Sequence, residues 1–411
     1  MTKSSRSRRR MGGVLVAHPS AELYGSDRML LESVRGLVEA GEEVIVALPT
    51  SGPLVELLRG AGADVTICPA PVLRKSALTP KGFLKLVAES LTGLRDSWRV
   101  ISRVRPSRVY VSTLTIPLWI LVARLRRVPV LCHVHEGESS ASPVLRGALA
   151  LPLLLAQRVV SNSAFSASVL GASFRSLERR AVIVYNGVAG PPEARPARES
   201  LDGPLRVVYV GRLSPRKGVD VALDAVSILL SRGVPARLDI VGTVFDGYEW
   251  YERSLRERVA GLDLEGAVTF HGFVPSVWEH IAEGDVVVVP SRADEPFGNT
   301  AVEALLCGRP VIASATSGLL EATAGYRAAL TVPAESPSSL ADALSDVGER
   351  WTYMRTAAWR DIELAEARHS TGTYRREISA AVATLPARRW EQATAQTRRV
   401  AVPTTPERSR A

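Results

Sequence analysis

Cysteine is scarce: Cys68, Cys132 and Cys307 are the three in 411 residues, far apart and in no metal or redox spacing. That excludes a disulfide framework and a zinc ribbon, and it predicts reduced, mostly buried thiols in a cytosolic protein. Long apolar runs are missing too. Ile116–Ala123 and Ala148–Ala156 fall short of the roughly 18 residues that a transmembrane helix needs. The Arg-rich start followed by Val14–Ala17 imitates a secretory leader, but its apolar core is too short and His18-Pro19 ends it as a strand would end. Met11 offers a second candidate start. Several catalytic signatures are absent. There is no Gly-x-Ser-x-Gly elbow, no His-Glu-x-x-His, no Walker loop, and no GxGxxG after the first strand. Those gaps argue against a serine hydrolase, a zinc peptidase, a P-loop enzyme and a nicotinamide enzyme. Nothing resembles a zinc finger, basic zipper or RNA-recognition motif, so nucleic acid is not an expected partner.

What is present fits a soluble globular protein: 46% apolar and 23% charged residues, at a length that suits two domains. The net charge of +9 is unevenly spread. Residues 1–10 carry Lys3, Arg6, Arg8, Arg9 and Arg10, and residues 388–411 are again Arg-rich. Both stretches read as disordered basic tails. Basic groups outnumber acidic ones across 11–190, and acidic ones outnumber basic across 191–387. A basic first half suits anionic partners, such as a lipid surface or a lipid-linked phosphate, although a solvated helix face gives the same pattern.

Short β-rich apolar runs alternate with longer amphipathic stretches. Val14–Ala17, Glu43–Leu48, Asp64–Cys68, Arg108–Val111, Pro129–His133, Arg158–Ser161 and Val182–Val184 read as strands, with helices such as Asp27–Ala40, Lys81–Arg103 and Ser142–Ala156 between them. Asn186-Gly187 is a turn signal, and the Pro-rich 191–204 reads as a linker. A second alternation then runs to about 350. The predicted class is therefore α/β, with two Rossmann-like doubly wound domains, 11–190 and 205–350. Residues 351–387 read as helices able to pack back on the first domain. Open α/β sheets bind ligands at the carboxyl ends of their strands, so the chemistry is expected in the cleft between the domains.

The densest signal is Glu295-Pro296-Phe297-Gly298-Asn299-Thr300, with Glu303 eight positions after Glu295. The stretch follows an apolar strand and opens a helix. Free N–H groups at a helix start hold an anion, and flanking carboxylates accept sugar hydroxyls. An ordinary strand, loop and capped helix also fits these residues. Gly211 to Gly218, with Arg212, Arg216 and Lys217, is a second strand-to-helix loop with cations able to neutralise a diphosphate. Gly25-Ser26 lets the backbone approach a phosphate, or simply caps the next helix. His133 and His135 end a strand, and one of them need face the cleft. With no third ligand nearby, a metal is not expected there. His271 offers a ring to a base or fills the core.

Together these segments resemble the retaining nucleotide-sugar glycosyltransferases of family 4, which have the GT-B architecture. The resemblance covers roughly residues 12 to 385. Gly211-Arg212-Leu213-Ser214-Pro215-Arg216-Lys217-Gly218 is similar to the family's diphosphate loop, and Glu295 to Glu303 to its E-x7-E signature. Cys307 to Ala313, Ser317 to Glu321 and Tyr185 to Val188 are similar to neighbouring family segments. The resemblance implies that Arg212 and Lys217 hold the donor diphosphate, that Glu303 binds ribose hydroxyls, and that Glu295 and His135 touch the donor sugar. It implies backbone amides from Phe297, Gly298, Asn299 and Thr300, a phosphate approach at Gly25, and no metal or other cofactor. The departures are Gly25-Ser26-Asp27-Arg28, where the family often has two glycines and Glu-Arg, and Asn299, where an apolar residue or glycine is frequent. The implied reaction moves a hexose-type sugar from a nucleoside-diphosphate sugar to an acceptor hydroxyl with retention. The acceptor is a sugar, a lipid-linked species or a small molecule. The setting is cytoplasmic, with a peripheral contact to the inner face of an anionic membrane. Rival readings are a nucleotide-sugar epimerase, a phosphorylase, or a non-catalytic glycosyltransferase-like partner protein.

Overall fold

The computed structural model describes residues 12–390, apart from 24, 74–78, 138 and 140. The tail residues 1–11 and 391–411 lie outside the described residues. The first sheet contains β1 (Val14–Ala17), β2 (Val44–Leu48), β3 (Asp64–Ile67), β4 (Arg108–Val111), β5 (Val130–Val134), β6 (Arg158–Ser161) and β7 (Ala181–Ile183). The second contains β8 (Leu205–Val210), β9 (Ala236–Val241), β10 (Val268–Gly272), β11 (Val286–Val289), β12 (Val311–Ser314) and β13 (Ala329–Val332). The strand orders are 3-2-1-4-5-6-7 and 10-9-8-11-12-13, and every pairing is parallel. Helices cover both faces of each sheet, so central strands such as β1 and β11 are buried along their whole length. That is why they read as unbroken Val/Leu/Ala runs rather than alternating ones.

In the first half the helices are α1 (Gly25–Glu39), α2 (Leu54–Gly60), α3 (Pro80–Val104), α4 (Leu118–Leu125), α5 (Pro143–Ala150), α6 (Ala164–Ser173) and α7 (Arg175–Arg180). The second half has α8 (Val219–Ser231), α9 (Glu249–Gly261), α10 (Trp278–Glu283), α11 (Asn299–Leu306), α12 (Ser317–Thr323) and α13 (Pro337–Glu349). The helix expected over 142–156 is instead α5 followed by a 3-10 turn, Leu151–Leu155. Pro152 explains the change, because it has no N–H to give to the carbonyl four residues back.

Each sheet reverses its strand order at one place, between β1 and β4 and between β8 and β11. A crevice opens at such a switch point because the loops leave in opposite directions. In the second domain those loops are 211–218 and 290–298, the two segments singled out in the sequence.

The chain ends on both halves. α14 (Trp351–His369) packs on α11, and α15 (Thr371–Ala383) packs on α1. Arg375 pairs with Glu32 at 2.6 Å and Glu39 at 2.7 Å. Beneath them runs a buried polar chain. Tyr374 Oη meets Ser33 Oγ at 2.6 Å, Ser33 Oγ meets Tyr110 Oη at 3.2 Å, and Tyr110 Oη meets His133 Nδ1 at 2.7 Å. Tyr374, Ile378, Ala381, Val382 and Leu385 belong to one core cluster with β1, β2 and α1. Residues 388–390, at the start of the expected C-terminal tail, are engaged: Arg388 N–H donates to Ser107 O at 3.0 Å and Trp390 Nε1 to Pro106 O at 2.8 Å.

Candidate functional site

After β8 the chain turns through a 3-10 segment, Pro215–Lys217, into Gly218, which is left-handed at φ 66° and begins α8. A Cβ at 218 would run into the Pro290 carbonyl oxygen, so only glycine lets the two loops lie this close. Arg292 N–H donates to Arg216 O at 2.9 Å, and the Arg216 guanidinium donates to Asp294 O at 2.8 Å. With the loops locked, Lys217 Nζ reaches Glu295 Oε1 at 2.7 Å. Ser291 Oγ donates to the same oxygen at 2.8 Å, and Arg216 lies 3.8 Å from Oε2. Glu295 is buried. A desolvated carboxylate needs such partners.

Gly298, at φ 121°, begins α11, and among the described residues no side chain caps that helix. Its first N–H groups are therefore available to a ligand. Phe297 is buried beneath them and stacks on Tyr185 with ring centres 5.4 Å apart. In front lies a cavity of about 280 Å³ walled by both halves of the molecule. Gly25, Ser26, Met29, His135 and Asn162 come from the first half, and Asn186 from the turn that leaves it. Lys217, Val289, Glu295, Pro296, Phe297, Gly298, Asn299 and Thr300 come from the second.

His133 in β5 and His135 just after it are two positions apart, so alternation puts both on one side of the sheet rather than dividing them, and they differ in depth because the strand ends at Val134. His135 lines the cavity, while His133 is fully buried behind it, with the rings 4.0 Å apart. Burial, with His18 nearby, pushes the His135 imidazole down to about 4. Burial, then His135, pushes His133 well down. His135 is thus a neutral hydrogen-bonding ring at physiological pH, suited to a hydroxyl rather than to a phosphate. His18 is itself buried and fixed, with Nε2 2.7 Å from Asp27 Oδ1 and Nδ1 against Ser112 Oγ. This pair holds the start of α1, and with it Gly25 and Ser26, at the cavity. Glu303 sits one turn into α11. Burial raises its carboxyl to about 7, opposed by Arg28 and Lys217.

Three expected residues, Glu303, Arg212 and His271, do not line this cavity. The Arg212 guanidinium stacks over the Phe245 ring at 3.2 Å and does not line the cavity. His271, on edge strand β10, hydrogen-bonds Asp239 at 2.8 Å and packs on His280. Met29 and Asn162 also line the cavity, without a site signal in the sequence. Asn162 follows β6 and could have been suspected from its place at a strand's carboxyl end. Asn186, in the turn and family-like segment 185–188, donates from Nδ2 to Asn299 Oδ1 at 3.0 Å.

The halves are also joined across the cleft. Glu321 on α12 accepts from the N–H groups of Ala164 at 2.8 Å and Phe165 at 2.7 Å, at the start of α6. Ser139 bonds Asp294, and Ser163 bonds the Pro296 carbonyl. Charge-assisted bonds at a helix start are worth about 1.5–3 kcal/mol when desolvated, and partial exposure reduces this to about 1 kcal/mol. Glu321→Ala is therefore expected to raise the donor KM about fivefold with a smaller change in kcat. Steady-state kinetics check this, and an unchanged KM would show that the contact does not support closure.

Sequence comparison adds to this geometry. Residues 24–189 match the family described as Glycosyltransferase Family 4, and residues 204–349 match Glycosyl transferases group 1. The D-inositol 3-phosphate glycosyltransferase of Geodermatophilus obscurus is 31% identical over 260 residues, which take in 60% of this chain and 56% of that protein. One from Catenulispora acidiphila is 27% identical over 381 residues, covering 84% and 89%. The mannosylfructose-phosphate synthase of Agrobacterium fabrum is 37% identical over 132 residues, covering 30% and 28%. The chain thus spans about half or less of several curated relatives it matches. In structure, Anabaena HepE, solved with UDP and with UDP-glucose, has a TM-score of 0.75 in its UDP complex at 21% identity, covering 90% of this chain and 99% of that one. This likeness shows the fold.

Proposed function

Because the chain belongs to the family 4 glycosyltransferases and has their GT-B fold, we propose that it moves a hexose-type sugar from a nucleoside-diphosphate sugar to an acceptor hydroxyl, with retention. The supporting observation is the Lys217–Glu295 pair beside the open start of α11, in a cavity walled by both domains. In this reading Lys217 and the α11 amides at Asn299 and Thr300 take the donor diphosphate. Arg212 swings from Phe245 to join them. Charge grows on the departing diphosphate as the glycosidic bond breaks, so fixed cations and amides stabilise that state. Glu303 accepts the ribose hydroxyls, Glu295 and neutral His135 orient the sugar, and Gly25 meets the phosphates. Phe297 and Gly298 set the loop that aims the amides, and His271 acts in the second domain near the base. Closure excludes water and limits hydrolysis of the donor. No metal or other cofactor is required, since these cations supply the charge. The same reading places the enzyme in cell-surface glycan synthesis from the cytoplasmic side.

A thermal-shift panel of nucleotide sugars tests this. A nucleoside-diphosphate sugar is expected to raise the melting temperature, since it binds only the folded state. Donors that leave it unchanged throughout would favour a non-catalytic partner. Product formation without an acceptor would favour an epimerase, and a need for free phosphate a phosphorylase.

Glu303 gives the site a pH signature. Its carboxyl is raised, so it is largely neutral below about 7 and ionised above. Ionised carboxylates accept hydroxyl protons more strongly. Nucleotide affinity should therefore increase between pH 6 and 8, and Glu303→Gln should flatten that rise. The unliganded fold behaves oppositely: Glu303 contributes stability at low pH that is lost as pH rises through about 7. Calorimetric titration at several pH values reads the first effect, and a wild-type profile already flat would remove Glu303 from the ribose.

A further inference from the structure

Of the two cations expected at the diphosphate, Lys217 lines the cavity and Arg212 does not. The difference lies in the Arg212 side chain, because the backbone around it is fixed. Tyr209 Oη donates to Arg212 O at 2.8 Å, Gly211 N–H to Val241 O at 2.9 Å and Leu213 N–H to Thr243 O at 3.0 Å. The last two bonds tie the loop after β8 to the loop after β9, where Phe245 stands. The Arg212 guanidinium sits over the Phe245 ring, 3.2 Å from its centre. Phe245 is 38% exposed and belongs to none of the buried core clusters. Its loop is closed by Tyr248 N–H on Phe245 O at 2.9 Å and by Gly247 N–H on the Glu249 carboxylate at 3.0 Å. The ring is thus held out at the carboxyl edge of the sheet without serving the interior.

Strand order says what lies next to that ring. β11, β8 and β9 are neighbours in the second sheet. Adjacent strands are about 4.8 Å apart, so the Phe245 loop is one strand beyond the 211–218 loop and two beyond the start of α11. On the other flank α12 reaches across the cleft, where Glu321 accepts from Ala164 and Phe165. A nucleoside attached to a diphosphate at Lys217 therefore finds room on the β9 side, with its base one ribose away, at Phe245.

Resting on the glycosyltransferase reading, we propose that Arg212 and the donor's nucleobase exchange places on Phe245. The guanidinium covers the ring until a donor arrives; the base then stacks on that face, and the released guanidinium turns to the diphosphate. An exposed cation–π pair shifts an equilibrium by about two- to fivefold, and a base on an aromatic ring by about five- to 150-fold. The base therefore wins the ring, and the displaced cation has two phosphates within reach. A phosphate compound without a base has nothing to offer the ring and must draw Arg212 away unaided. Phe245 is in this way a positioning residue for Arg212, and it favours nucleotide-activated donors over base-free phosphates.

Calorimetric titration of the full chain with UDP, GDP and ADP, and with pyrophosphate as the base-free probe, tests the exchange. Phe245→Ala is expected to fold, since the ring is outside the core, and a melting curve checks this. It should weaken the tightest of the three nucleotides about tenfold or more. Pyrophosphate should bind about two- to fivefold tighter, because the cation is no longer held back. Phe245→Tyr keeps the ring face and should retain nucleotide binding. Nucleotide and pyrophosphate affinities that fall together in Phe245→Ala would overturn the exchange, since the ring would then only support its loop. Affinities that rise together would also overturn it, leaving the ring as a mere store for Arg212. The wild type separates this idea from the reading beneath it. A chain that binds none of the three nucleotides would overturn both, whereas a nucleotide bound equally by wild type and Phe245→Ala would overturn the exchange alone.

Discussion

Lys217→Ala is expected to lower kcat by about 10²-fold or more, the scale for losing one preorganised charge partner of a transition state. Lys217 Nζ lies 2.7 Å from Glu295 and lines the cavity in front of α11. In the proposed reaction a diphosphate leaving group gains negative charge as its bond to the sugar breaks, and Lys217 would be in position to meet it. Removing it should weaken the transition state more than the ground state, so kcat falls further than KM rises. The fold should survive, because Ser291 and Arg216 still face Glu295. A melting curve controls for that. Arg212→Ala is the companion. It stacks on Phe245 and must move to reach the donor, so its loss should appear in both parameters. If both variants turned over at the wild-type rate, the diphosphate assignment would be wrong.

Gly218→Ala should be comparably severe for a different reason. The residue has φ 66°, and a side chain there meets the Pro290 carbonyl, which is backbone and cannot rotate away. The left-handed conformation alone costs a non-glycine residue about 1–2 kcal/mol, and each kcal/mol lowers Tm by about 2–4 °C in a domain of this size. The clash adds to that by parting the 211–218 loop from the 290–295 loop. Lys217 then loses its place against Glu295, and a misplacement of about 1 Å costs about 10²-fold in rate. Calorimetry and initial rates should therefore fall together. Gly266→Ala, with open space around it, is the control expected to do neither. An active, stable Gly218→Ala enzyme would show that the two loops tolerate separation.

The sheets were legible because their central strands are buried on both faces. Val286–Val289 and Val14–Ala17 admit no polar alternation, so their limits match the observed ones. Helix ends were less legible where a proline intervened, as at Pro152. The proposed donor side of the cavity draws on two short segments, each leaving a strand, which is why both stand out in the sequence. The rest depends on partners far away in sequence. Nothing in the sequence alone says that Glu321 reaches Ala164 and Phe165, or that His18 and Asp27 form a buried pair. Likewise the ring of Phe245 that holds Arg212, and the Asp239 carboxylate that holds His271, lie on other loops and strands.

The helix α15 has a consequence for how the molecule is made. Five of the residues completing the interior around β1 and β2 lie between positions 374 and 385. A nascent chain emerging from the ribosome translates every strand of the first sheet early, yet lacks the segment that seals it until almost all of the protein has been synthesised. The second sheet waits almost as long, because Trp351, Met354, Ala357 and Ala358 of α14 complete its interior. Both domains thus keep an open side until nearly the whole chain has been made, and a chaperone would find binding surface on each.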